Sequence, residues 1–270
     1  MNESVAVDRT KLQRPYQKVA DQLLSMIEGG TYGAGTRLPS ERRLSEEFGV
    51  GRPVIREAIV ALEIMKAVTV KANSGIYVNT QQKPSPDHEV DLDVGGFELL
   101  DARMLIESEI AYLAANAITE SGIADLEATM QDMRDANSRG EIDVAELCDD
   151  RFHEIIAEQL DNSVLYDIVS EMNVAHQRSP LAVRLFARIH GRGMGRRIEE
   201  HELILEALRE RDANGARAAM RSHLGCVIAE LEAATALETN DAKDSARSPA
   251  RDTLNPRPAR KSIVRKAMRN

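Results

Sequence analysis

From Phe97 to about Leu237, apolar residues return at helical spacing almost without interruption, and that periodicity calls for a bundle of helices. In "FELLDARMLIESEIAYLAANAI" the repeat runs through Leu100, Met104, Ile110 and Leu113 on a background of good helix formers. Five or six similar segments follow. Aromatics make up only 3% of the chain against 43% hydrophobic residues, so the core must be built from Leu, Ile, Val, Ala and Met. At 270 residues, two domains with separate cores are expected. No apolar run approaches the ~20 residues of a bilayer span, and the N-terminus lacks a signal-peptide hydrophobic region, which predicts a cytoplasmic protein without membrane contact. Cys148 and Cys226, with no CxxC pair, read as reduced structural thiols.

The net charge of -9 is distributed unevenly. Residues 1–80 carry 11 Lys or Arg against 9 Asp or Glu, residues 81–240 carry 15 against 32, and residues 241–270 carry 9 against 3. A near-neutral front module therefore precedes a strongly acidic body, and a polyanionic partner belongs to the front.

That front module reads as three helices and a hairpin. "RPYQKVADQLLSMIEGG" places Val19, Leu23, Leu24 and Ile27 at helical spacing before a Gly29-Gly30 stop. "LPSERRLSEEFGV" offers Ser40 as N-cap, Leu44 and Phe48 on one face, and Gly49 at the end. In "GRPVIREAIVALEIM", Pro53 suits a helix start and Ile55, Ile59 and Leu62 share a face, leaving Arg52 and Arg56 to project together from the exposed side. "AVTVKANSGIYVN" alternates Val68, Val70 and then Ile76, Val78 around a turn at Asn73-Ser74-Gly75. The expected fold class is mostly α, with an N-terminal winged helix-turn-helix (1–79), a Pro-rich acidic linker (80–96), an all-helical domain (97–238) and a disordered basic tail (239–270). The tail's positive charge adds at most a weak attraction to DNA. His88, in the linker, reads as solvated.

With "LPSER" followed by a segment of the form V-x-R-x-x-V-R-E-A, residues 15–79 closely resemble the GntR family of bacterial transcription regulators. The resemblance implies DNA contact by Arg42 on the second helix, by Arg52 and Arg56 on the recognition helix, and by Gly75 at the wing tip near the minor groove. Arg suits this role because its fork matches guanine edges and phosphates. The alternative is that these arginines only pair with Glu41, Glu46, Glu47 and Glu57 on a solvated face. Gly51, where the family often has Ser or Thr, and the wing "KANSG", where a more basic turn is usual, depart from the pattern. The reading also implies a homodimer on a palindromic operator, since one such helix covers only a half-site.

In the body, "CDDRFHEII" sets Asp149 and His153 four apart, while "EEHELI" and "RSHL" place His201 and His223 on later helices. One carboxylate and three imidazoles meeting in a core would form a mixed N/O site for a divalent ion with positions left open. From spacing alone, buried and hydrogen-bonded histidines are the commoner outcome. The body is similar, however, to the ligand domain of FadR-type GntR regulators. That resemblance implies a metal site at Asp149, His153, His201 and His223, but not at Asp150, His176 or His190, holding zinc, nickel or manganese.

It also implies that Arg103 in "DARMLIESE" meets the effector's carboxylate, with Glu107 as its partner; otherwise the two form a surface ion pair. Within this group "GGFELLDARMLIES" and "DNSVLYDIV" look most like regulators of hexuronate utilisation. The expected function is a repressor released by a small sugar acid. Another acid (a hydroxy acid, an aldonate or sialic acid) is the alternative, and a metal-dependent enzyme is the rival from a different class, for which no HExxH-type base or nucleophile elbow is found.

Overall fold

The computed structural model describes residues 14–71, 74–80, 94–190 and 198–236. The tail, His88, Asn73, the side chain of His190 and most of the expected linker lie outside these residues. Among the described residues there are ten helices and one two-stranded antiparallel sheet. The architecture is mostly α, a winged helix-turn-helix followed by an all-helical bundle.

Each front element forms for a local reason. Helix α1 (Pro15–Glu28) opens with Pro at its first position and buries Tyr16, Val19, Ala20 and Leu23. Helix α2 (Glu41–Phe48) is capped by Ser40, which accepts the Arg43 N–H, and closes on Gly49 in the left-handed conformation at φ 66°. Helix α3 (Arg52–Ile64) begins at Gly51 without a side-chain cap and buries Ile55, Ile59 and Leu62. Strands β1 (Val68–Lys71) and β2 (Gly75–Val78) pair with Val68 opposite Val78 and Val70 opposite Ile76. Burying each of the large aliphatic side chains contributes about 1.5–3 kcal/mol.

The bundle runs through α4 (Gly96–Ala117), α5 (Glu120–Arg139), α6 (Ile142–Glu158), α7 (Ser163–Arg178), α8 (Pro180–His190), α9 (Ile198–Arg209) and α10 (Ala213–Thr235). Thr119, Asn162 and Asp212 cap α5, α7 and α10 through side-chain oxygens that accept backbone N–H groups of the first turn. Helix α10 lies along α4 and also packs on α9 and α8, while α5 packs on α6. Leu113 departs from the expected core face: it is 47% exposed, and Ile110, Ala111, Ala114 and Ala115 are buried instead. Small side chains permit close approach between helices, so alanines take the contact that the periodicity assigns to a leucine. Cys148 and Cys226 form no disulfide and are partly buried, and no described helix is long and apolar enough to cross a membrane.

Winged module and bundle meet over α3. The Glu57 carboxylate is buried and accepts the Phe97 N–H at 2.8 Å, so a side chain from α3 satisfies an orphan donor at the start of α4. A Cβ on Gly95, the residue preceding α4, would meet both Glu57 oxygens at 2.7 and 2.9 Å, so glycine is what lets this carboxylate approach. At the far end of α3, Glu63 pairs with Arg188 at 2.8 Å and Arg184 at 3.6 Å from α8. Arg14, preceding α1, pairs with Glu98 at 2.7 Å.

Burial pushes the Glu57 carboxyl up to about 7, against the opposing Phe97 hydrogen bond. A carboxyl raised in the folded state binds more protons there than in the unfolded chain, so its contribution is complete below the unfolded value near 4.5 and is lost as pH rises through about 7. Melting temperature is expected to fall from pH 5 to pH 7.5, and Glu57→Gln, which keeps the acceptor oxygen, should flatten that slope. Thermal denaturation of both proteins across this range is the check.

Candidate metal centre and DNA-binding module

Asp149 and His153 stand one turn apart on α6, His201 comes from the first turn of α9 and His223 from the middle of α10. All four are buried, and one ligand atom from each lies within 4.8 Å of the others. His201 Nε2 is 3.1 Å from Asp149 Oδ1, and His153 Nε2 is 4.0 Å from Asp149 Oδ2. The His201 and His223 rings are 4.3 Å apart by centroid, and Phe152 meets His201 edge-on at 4.9 Å. Helical spacing on α6 sets one pair, and packing of α9 and α10 supplies the other two.

Behind this group stands a second layer of carboxylates. Glu107 Oε2 lies 2.6 Å from His153 Nδ1, and Glu200 Oε2 lies 3.1 Å from His223 Nδ1. With Nδ1 held outward, Nε2 of each ring is left for the interior, and His153 Nε2 is buried there with no hydrogen-bond partner. Burial lowers His223 to about 4, with His201 and His153 adding to the effect and Glu200 opposing it, so at neutral pH it is an uncharged donor. One buried carboxylate and three imidazoles whose ligand atoms lie within 4.8 Å of one another fit a divalent cation, because carboxylate oxygen and neutral imidazole nitrogen are donors that such an ion takes. The residues can therefore hold a metal ion.

Arg103 lies beside this group on α4. Its Nε donates to Glu107 Oε1 at 2.6 Å, and both side chains are buried, which excludes a surface ion pair. Burial would raise Glu107, yet Arg103 and His153 outweigh that and hold it down at about 2. Arg103 Nη2 is buried without a partner among the described residues. A buried, unsatisfied guanidinium nitrogen leaves a donor for an anion.

On the winged module the predicted contacts separate. Arg42 is 58% exposed and pairs with Glu46 at 2.7 Å, one turn on. Arg52, at the first position of α3, is exposed. Arg56 does not project beside it: it is 8% exposed, its Nε donates to Glu41 at 3.0 Å, and its Nη1 donates to the Glu232 carbonyl of α10 at 3.1 Å. The i, i+4 spacing aligned the two arginines correctly along α3, but α2 and α10 both cover the second one. Gly75 starts β2 opposite Lys71 rather than standing free at a tip, and it is buried. A Cβ there would collide with the Arg37 guanidinium, and its φ of 118° favours glycine. Arg37, bridged to Tyr77, and Lys71, 4.7 Å over the Tyr77 ring, are the wing cations that sequence reasoning missed. Arg37 directly precedes "LPSER", so its position was the available signal.

A winged helix-turn-helix joined to a helical domain with a buried Asp/His₃ group defines a class of bacterial DNA-binding regulators. Residues 15–78 match the family description "Bacterial regulatory proteins, gntR family", and residues 98–225 match "FCD domain". The chain belongs to the gntR family. It is 36% identical to the Uxu operon regulator of Haemophilus influenzae, over 86% of this chain and 86% of that one. It is also 36% identical to two proteins of Escherichia coli K12, the Uxu operon transcriptional regulator (80% of this chain, 86% of that one) and the Exu regulon transcriptional regulator (80% and 83%). The protein is thus a transcription regulator with a DNA-binding module and a domain for a small-molecule effector, and membership of a regulatory family sets aside the metalloenzyme alternative.

If Glu107 fixes His153 for coordination, Glu107→Gln should weaken divalent-metal binding about 10–100-fold. Competition against a fluorescent chelator measures this, and an unchanged affinity would remove Glu107 from the support of the site.

Proposed function

We propose that this regulator represses genes of hexuronate catabolism and is released from its operator by a sugar acid bound beside the Asp149, His153, His201 and His223 group. The observation that carries the reading is the unpartnered Arg103 Nη2, buried on the Glu107–His153 side of that group. A carboxylate paired there would have its neighbouring hydroxyl close to the donor cluster. The ion, when bound, supplies a positive centre with open positions for carboxylate and hydroxyl oxygens, and zinc, nickel and manganese all suit one carboxylate and three imidazoles. Arg103 neutralises the acid's charge, Glu107 orients Arg103, and the buried surroundings exclude water. The similarity to Uxu and Exu regulators supports hexuronates over other hydroxy acids, aldonates and sialic acid.

Arg42 and Arg52 are the proposed DNA contacts available on the exposed side, with Arg56 joining once it is uncovered, and Gly75 shaping the wing. One recognition helix spans a half-site, so we assign a homodimer on a palindromic operator, working in the cytoplasm where the DNA is. The division into modules at 1–79 and 97–238, with a linker at 80–96, belongs to the same reading.

In an operator titration with and without galacturonate or glucuronate, His201→Ala is expected to lose metal content and effector response together while keeping DNA binding without effector. Full response in a metal-free mutant would reject the metal-centred reading and leave Arg103 alone as the effector seat. Arg52→Ala should cost about 1–3 kcal/mol in operator binding and relax sequence preference at fixed salt. Fluorescence anisotropy on matched and mismatched duplexes reads both.

A further inference from the structure

We propose that the C-terminal end of α10 is an autoinhibitory latch that withholds Arg56 of the recognition helix from DNA. The inference rests on the reading of the chain as an operator-binding regulator, and it identifies how the bundle reaches the DNA module.

Arg56 stands on the recognition helix yet turns inward, its Nε donating to Glu41 and its Nη1 to the Glu232 carbonyl. Glu232 lies in the last turn of α10, where the helix carries its partial negative charge, and its carbonyl, which already accepts the Ala236 N–H at 2.8 Å, takes Arg56 as a further donor. A guanidinium suits that end. Held there and 8% exposed, it cannot also present a two-pronged fork to a base edge, so docking on α10 and reading DNA through Arg56 exclude each other. The half-buried pair of Glu63 with Arg188 ties the C-terminal end of the recognition helix α3 to α8 of the same bundle.

The latch and the metal group share one rigid element. His223 and Glu232 are both on α10, within one unbroken helix. Whatever grips His223 therefore also fixes the carbonyl that holds Arg56. Effector binding beside His223 favours the docked arrangement, and the operator favours the undocked one; the two ligands oppose each other because each binds one arrangement better.

Two single variants of the full chain, Glu63→Gln and Arg188→Gln, test this without touching the metal group or the proposed DNA contacts. Weakening the clamp by either route should raise effector-free operator affinity about three- to five-fold, the range expected for one partly buried ion pair when the docked form predominates. Simple charge effects on DNA predict opposite signs, since one variant removes an acid and the other a base. Opposite shifts, or none, overturn the latch.

Hydrogen exchange adds an independent arm. The Ala236 N–H, bonded to the Glu232 carbonyl at 2.8 Å, should exchange faster when operator duplex is added to wild type, and unchanged or slower exchange counts against the proposal. A wild-type protein that binds no operator duplex sinks the regulator reading and the latch with it. A wild type that binds but ignores galacturonate sinks only the choice of effector, because the latch is judged on effector-free affinities.

Discussion

The buried carboxylate of Asp149, facing three imidazoles, is the constraint on which the bundle's interior depends. An isolated charge in a packed core is costly, so the surroundings must answer it. They do so in layers. His201 Nε2 lies 3.1 Å and His153 Nε2 4.0 Å from the Asp149 oxygens, and Glu107 and Glu200 stand behind the rings of His153 and His223. Arg103 then balances Glu107 and keeps its buried Nη2 as a donor without a hydrogen-bond partner among the described residues. The proposed metal ion and small acid would meet the donor cluster and this nitrogen respectively.

Helix α10 connects this network to the DNA module. It is capped by Asp212, carries His223 midway and ends against Arg56. It also lies along α4, which brings Arg103 and Glu107 from one side and receives Glu57 at its first turn. The donor cluster and the recognition helix are thus both held by the same two helices, neither of which is interrupted. Rigid elements with polar contacts at both ends transmit displacement, whereas a loosely packed junction would absorb it.

Much of this was legible in the chain. Ser40 and Gly49 bound α2 because their chemistry suits caps wherever they stand, and the apolar stripe of α3 selects Ile55, Ile59 and Leu62 for the core. Asp149 and His153 share a face by helical geometry alone. Their meeting with His201 and His223 rested on resemblance, because no local rule brings α9 and α10 to α6. Leu113 and Arg56 were misread for one shared reason. Periodicity tells which residues lie on one side of a helix, but not how many neighbours that helix will have. Leu113 stays 47% exposed among the described residues, and Arg56 points where α10 packs.

The sequence by itself determined the helices, their caps and the winged module, since these follow from spacing, side-chain chemistry and a dense family motif, and it offered Asp149, His153, His201 and His223 as candidate metal donors through resemblance. Only the tertiary structure decided which charges are buried. Arg103 and Glu107 could have formed an exposed pair with the same spacing, and Arg52 and Arg56 could both have faced solvent. Burial depends on what a distant segment lays over a residue, and for Arg56 that segment is the end of α10, 176 residues further along the chain.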